Sequence, residues 1–128
     1  MPRVSAAFFM TGALFLAMGM CWGIAMAVSQ NFALAPAHAH LNLLGWVTMA
    51  IYGTFYALTH ETFSPRLAWI NYTCAALGVV MMIPSLAIML STGNTALEPM
   101  VGIGSLLSLI ALLVFALSAF RELKRVHA

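Results

Sequence analysis

Charge is what this sequence has least of. Only 6% of its 128 residues are Asp, Glu, Lys or Arg, five basic against three acidic, for a formal charge of +2. A soluble domain carries roughly a quarter charged residues, so that class is excluded. A nucleic-acid partner is not expected, because the few cations sit at the ends of apolar runs and form no patch that would neutralise phosphates. Cysteine is equally scarce. Cys21 and Cys74 lie far apart inside apolar stretches, without metal or redox spacing, and are expected to be buried small hydrophobes. No Cys-x-x-Cys-His run exists to attach a c-type haem. No acid/base pair, nucleophile beside its base or phosphate-cradling loop is visible, which argues against a hydrolase or nucleotide-dependent enzyme.

What the chain has instead is oil. It is 63% hydrophobic with a mean hydropathy of +1.00, the composition of an integral membrane protein. Runs of roughly 20 apolar residues, enough to cross a bilayer as helix, fall at about 5–28, 38–59, 67–90 and 99–120. The run after Arg3 is too long for a signal-peptide core and is expected to be the first span. The breaks "SQNFALAPA", "HETFSPR" and "STGNTALEP" are short and rich in turn formers. Short breaks make sequential helices antiparallel neighbours, so residues 1–128 are expected to form one all-α, up-down four-helix transmembrane domain.

Arg3, Arg66, Arg121, Lys124 and Arg125 fall at ends that an even number of spans places on one side. The positive-inside rule makes that side, with both termini, cytoplasmic, and the setting is a multi-pass protein of a bacterial inner membrane. His60 and His127 lie at those ends and are expected to be incidental. Pro84 predicts a kink in the third span, and Gly102 and Gly104 predict close helix approach in the fourth.

The second span opens with two histidines, in "ALAPAHAHLNLLGWV". At about 100° per residue, His38 and His40 point about 200° apart and address different neighbourhoods. The His38 side continues as Asn42, Gly45, Met49, Tyr52 and Tyr56, with Trp46 and Gly53 alongside, a polar, aromatic and small face. The His40 side continues as Leu44, Val47, Ile51 and Phe55, an apolar surface suited to lipid or another subunit. An imidazole on that stripe needs a partner, since an unsatisfied polar group in hydrocarbon costs several kcal/mol, roughly.

Two accounts are open. In one, His40 finds water or a backbone carbonyl while His38 bonds Asn42 or Glu98. In the other, one or both are metal ligands, because neutral imidazole binds iron, copper and zinc. Met26, at the same end of the first span, offers a thioether for His/Met ligation of haem. Met18, Met20 and Met100 make a copper(I) site the alternative, although methionine is also the ordinary filler of apolar cores. Asn42 and Trp46 would bond a cofactor edge or bridge helices. Glu98 before Pro99 reads as a helix start.

The string "HAHLNLLGW", followed by "IYGTFY", resembles the haem-ligating helix of the haem–copper oxidase and nitric oxide reductase catalytic subunit. In that family a His-x-His pair binds two haems, one on each side of the helix. The whole chain resembles small four-helix bacterial membrane proteins labelled cytochrome c oxidase subunit I-like, which also share the "GIAMA" ending of the first span. The resemblance implies His38 and His40 as haem or metal ligands. It does not extend to oxygen reduction, because four spans and two other, end-placed histidines cannot build a complete oxidase site.

The resulting expectation is a cytochrome-like protein that binds haem b near its outer surface through His38 or His40 and serves electron transfer or small-gas binding or sensing. Met26, Asn42 and Trp46 complete the candidate site. A homo-oligomer, dimer or trimer, would bury the outward histidine. Copper handling and a cofactor-free assembly subunit are the alternatives.

Overall fold

The structure is a computed structural model that describes residues 1–126; His127 lies outside the described residues. Four helices are long and apolar enough to cross a membrane: α1 (Arg3–Ser29), α2 (Ala35–Leu58), α3 (Pro65–Thr92) and α4 (Glu98–Val126). Each break is held by local chemistry. Gln30 ends α1 in the left-handed region (φ 53°), and Asn31 Oδ1 accepts from the Ala33 amide at 3.1 Å. Ser64 Oγ accepts from the Leu67 amide ahead of α3, with Pro65 at the first helical position, where its missing N–H costs nothing. Gly93 closes α3 at φ 69°, a conformation that glycine adopts without steric cost. Asn94 then caps a single 3₁₀ turn, Thr95–Leu97, that leads into α4.

The helices pack as two hairpins. In the α1/α2 hairpin, reciprocal contacts run antiparallel: Gly53 lies against Phe8, Gly45 against Phe15, Gly19 against Asn42 and Gly23 against His38. Gly78 and Gly104 bring α3 and α4 together. A Cβ at Gly104 would fall 2.8 Å from the Gly78 carbonyl oxygen and from Met82 Cβ. Gly102 departs from expectation, because nothing lies within 4 Å of a Cβ placed there. Two residues, about 200° around the helix, separate the two environments.

The end that carries Arg3, Arg66, Arg121, Lys124 and Arg125, called here the arginine end, joins the hairpins through aromatic and polar side chains. Phe8 is fully buried there, with Tyr52, Tyr56 and Tyr72 ring centroids 5.7, 5.9 and 5.2 Å away. The Tyr56 hydroxyl receives the Asn71 amide at 3.0 Å and lies 3.3 Å from Ser118 Oγ, so one oxygen links α2, α3 and α4. Thr11 and Tyr72 bond at 2.8 Å between α1 and α3. Toward the other end, the histidine end, Leu41 packs on Val79 and Ile83. Apolar clefts open between the hairpins, of about 360 Å³ beside Pro84, about 260 Å³ between α2, α3 and α4, and about 390 Å³ between the last turns of α2 and Phe115.

Helix α2 is not uniform. Residues Leu43–Val47 form a π-helical turn between α-helical halves, and the Thr48 hydroxyl donates to the Leu43 carbonyl five residues back at 2.8 Å. Such a turn shifts the phase of everything after it. The expected face survives, with Gly45, Met49, Tyr52, Gly53 and Tyr56 all buried, and Leu41 joins it. The expectation for Cys21 fails: it is exposed on α1, while Cys74 is half-buried.

Candidate functional site at the start of the second helix

His38 and His40 both lie in the first α-helical stretch of α2, Ala35–Asn42, ahead of the π turn. Their divergence therefore follows ordinary helical phase, and their environments differ accordingly. His38 is half-buried against α1, where its ring edge fills the space left by Gly23: a Cβ at that glycine would fall 3.1 Å from His38 Cε1. Trp22 meets the imidazole edge-on at 6.3 Å. His40 is exposed on the opposite side, above Val47 and Ile51, which are also exposed.

The hydrogen bonds distinguish the two rings further. His40 Nδ1 lies 2.7 Å from the Pro36 carbonyl oxygen. A carbonyl only accepts, so Nδ1 donates, and Nε2 makes no hydrogen bond among the described residues. Donation of one ring N–H to a backbone carbonyl is how metal-ligating histidines are oriented.

His38 Nε2 instead accepts from the Asn42 amide at 3.3 Å, one turn on. His38 Nδ1 and Asn42 Oδ1 are then enclosed without a partner. Turning the amide over exchanges the roles and still leaves one atom of each side chain unmatched. Enclosed polar groups of this kind cost about 1–3 kcal/mol each. The pair fits only because α1 offers glycines opposite it, since a Cβ at Gly19 would collide with Asn42 Oδ1.

The remaining candidates do not converge on either ring. Met26 is buried in a cleft with Trp22, Ala25, Ser29, Asn31 and Leu34, and no histidine lines it. Trp46 packs over Gly12, farther along the α1/α2 seam. Glu98 is exposed in the first turn of α4 and bonds neither imidazole, so Asn42 is the partner His38 finds. Met18 and Met20 are each 59% exposed and about 200° apart on α1. Among the described residues, no three His, Cys, Asp or Glu side chains are grouped to hold a metal ion. His60 is exposed in the turn between α2 and α3.

The site can therefore offer one external imidazole, at His40, and one internal polar pair, His38 with Asn42. Sequence reasoning missed the second polar centre, Tyr56 with Asn71 and Ser118. Its signal was present in Asn71 and Ser118, which are among the polar side chains inside the third and fourth apolar runs. No protein-family model, curated protein or solved structure matches the chain.

Proposed function

We propose that this chain is a four-span protein of a bacterial inner membrane that binds haem b through His40 and works in electron transfer or small-gas binding. The positive-inside rule puts the arginine end in the cytoplasm and the histidine end at the outer face. The observation that carries the assignment is the bond from His40 Nδ1 to the Pro36 carbonyl, which leaves Nε2 free and outward on an exposed apolar stripe. His40 rather than His38 is the ring open to an external ligand, because the His38 ring is wedged against Gly23 with Nε2 engaged by Asn42. The resemblance of "HAHLNLLGW" to a haem-ligating helix supports the same residues.

In this reading each side chain has a defined task. His40 would hold the iron through Nε2, and the Pro36 carbonyl orients the ring. Val47 and Ile51 below it offer an apolar wall. His38 and Asn42 set the position of α2 against α1. Bound iron would supply one-electron transfer or gas binding, tuned by its axial ligands and the polarity around it. With one external imidazole at this site, a further ligand would come from another copy, from water or from a gas, so a homo-oligomer joined across the His40 stripe is the natural assembly.

Copper handling is less well supported, because Met18, Met20 and Met26 occupy three different surroundings. A cofactor-free packing role is favoured only by the closed His38–Asn42 pair. The test is the visible spectrum of purified protein, oxidised and reduced, after expression with ample haem. The wild type and His38→Ala should show a Soret band, and His40→Ala should lose it. A colourless, metal-free wild type overturns the haem reading; stoichiometric copper without a Soret band transfers the site to copper.

A further inference from the structure

The three tyrosines differ in one respect. Tyr56 bonds Asn71 and Ser118, and Tyr72 bonds Thr11. Tyr52 is buried, with 3% of its surface exposed, yet its hydroxyl makes no hydrogen bond among the described residues and is not one of the fully enclosed polar atoms. Tyr52 is also the tyrosine that lines the cleft of about 260 Å³ between α2, α3 and α4. A phenol left unbonded in an apolar setting is unfavourable, so the cleft has an unmet donor.

Two other hydroxyls line the same cleft, Thr48 on α2 and Ser108 on α4. Each hydrogen is committed to its own helix, to the Leu43 carbonyl at 2.8 Å and the Gly104 carbonyl at 3.0 Å. They therefore offer lone pairs only, and Tyr52 is the free donor. The rest of the lining is Leu44, Ala75, Ala111 and the α4 leucines Leu109 and Leu112, each of the last two 50% exposed at the mouth. The volume lies at the lower edge of the roughly 300–1,000 Å³ usual for small-molecule sites. It suits one substituted six-membered ring.

We propose that this cleft is a lateral binding site for a lipid-soluble carbonyl compound of the quinone class, whose ring carbonyl accepts from the Tyr52 hydroxyl. The ring lies among Tyr52, Ala75 and Ala111, and the tail leaves past Leu109 and Leu112 into hydrocarbon. Thr48 and Ser108 oxygens face the ring's other substituents and accept from the hydroxyls of the reduced form. An acyl chain alone would leave the phenol unmet. The proposal rests on the membrane placement proposed above and not on haem, because of the cleft residues only Leu44 belongs to the stripe expected beside His40, and the polar groups Thr48, Tyr52 and Ser108 do not.

The test uses the full chain in lipid nanodiscs with decylubiquinone as probe, read against empty nanodiscs, and an azidoquinone photolabel mapped by peptide. The wild type should bind saturably, with label in α2 or α4 near residues 44–52 or 108–112. Tyr52→Phe should bind about ten-fold more weakly, the value of one good hydrogen bond. Leu112→Trp, a substitution at the exposed mouth, should block binding while helix content and elution volume stay unchanged. Thr48→Val covers the case in which Tyr52→Phe fails to fold, and should weaken binding of the reduced probe selectively. Unaltered binding by folded Tyr52→Phe and Leu112→Trp, or label confined to other helices, overturns the proposal. Haem-free preparations run in parallel separate this outcome from failure of the haem reading, since saturable quinone binding by colourless protein leaves the cleft assigned.

Discussion

Tyr56 shows how much a single side chain can hold together where water is scarce. Its ring stacks on Phe8 at 5.9 Å, and its hydroxyl joins Asn71 of α3 to Ser118 of α4. Asn71 is fully buried, and its Oδ1 already lacks a partner. Removing the tyrosine oxygen would strand the amide nitrogen as well, and an enclosed group without a partner costs more than the bond itself contributes. Tyr56→Phe should therefore destabilise the fold by about 1–3 kcal/mol despite conserving almost all the volume. Unfolding in mixed micelles of increasing SDS fraction measures this, and an unchanged midpoint would remove the network from the account of stability. The same logic separates the two histidines. A side chain at His38 must satisfy α1, whereas His40 is constrained only by the carbonyl one turn back.

At the scale of elements, glycine position rather than glycine number decides how helices meet. Gly104 faces the Gly78 carbonyl across the α3/α4 seam, and Gly102 faces nothing within 4 Å, although both look alike in an apolar run. Overfilling a close backbone approach costs roughly 1–3 kcal/mol or more. Gly104→Leu should thus destabilise the protein strongly in the same SDS titration. Gly102→Leu should stay within about 0.5 kcal/mol of wild type, as open-surface substitutions do. Equal effects would mean that the seam is not where the packing places it. Helix α2 carries a second element-scale device, the π turn Leu43–Val47, which sets Gly45 against Phe15 and still returns Met49, Tyr52 and Tyr56 to the interior. Strict 3.6-residue phasing anticipated the buried face and not the extra residue in the turn. No proline or polar run marks the π turn, which lies where Gly45 meets Phe15 of α1.

For the whole molecule, the arginine end and the histidine end differ in charge. All described Lys and Arg side chains lie at one end, where the Thr62 hydroxyl also donates to Glu122 at 2.8 Å and ties the α2/α3 turn to α4. Apolar clefts open along the whole seam between the hairpins. If the bundle spans a membrane with its cations inside, the α3/α4 turn faces outward. In a background with Cys21 and Cys74 replaced by alanine, Asn94→Cys should react with an impermeant maleimide in intact spheroplasts. Glu61→Cys should react only after lysis. Reversed labelling would invert the orientation, and with it the face on which His40 stands.

Much of this was readable before any coordinates. The four apolar runs appear as four helices, each break lies within a few residues of its expected place, and the buried face of α2 is the one its periodicity drew. These follow from the linear order of apolar and polar residues, because helix length and facing depend on spacing alone. Which histidine stays free, which glycine touches a neighbour and which tyrosine lacks a partner were decided only in three dimensions. His38 and His40, Gly102 and Gly104, and Tyr52 and Tyr56 are pairs of identical residues a turn or less apart. What distinguishes them is the atom brought opposite by another helix, and no local pattern encodes that atom.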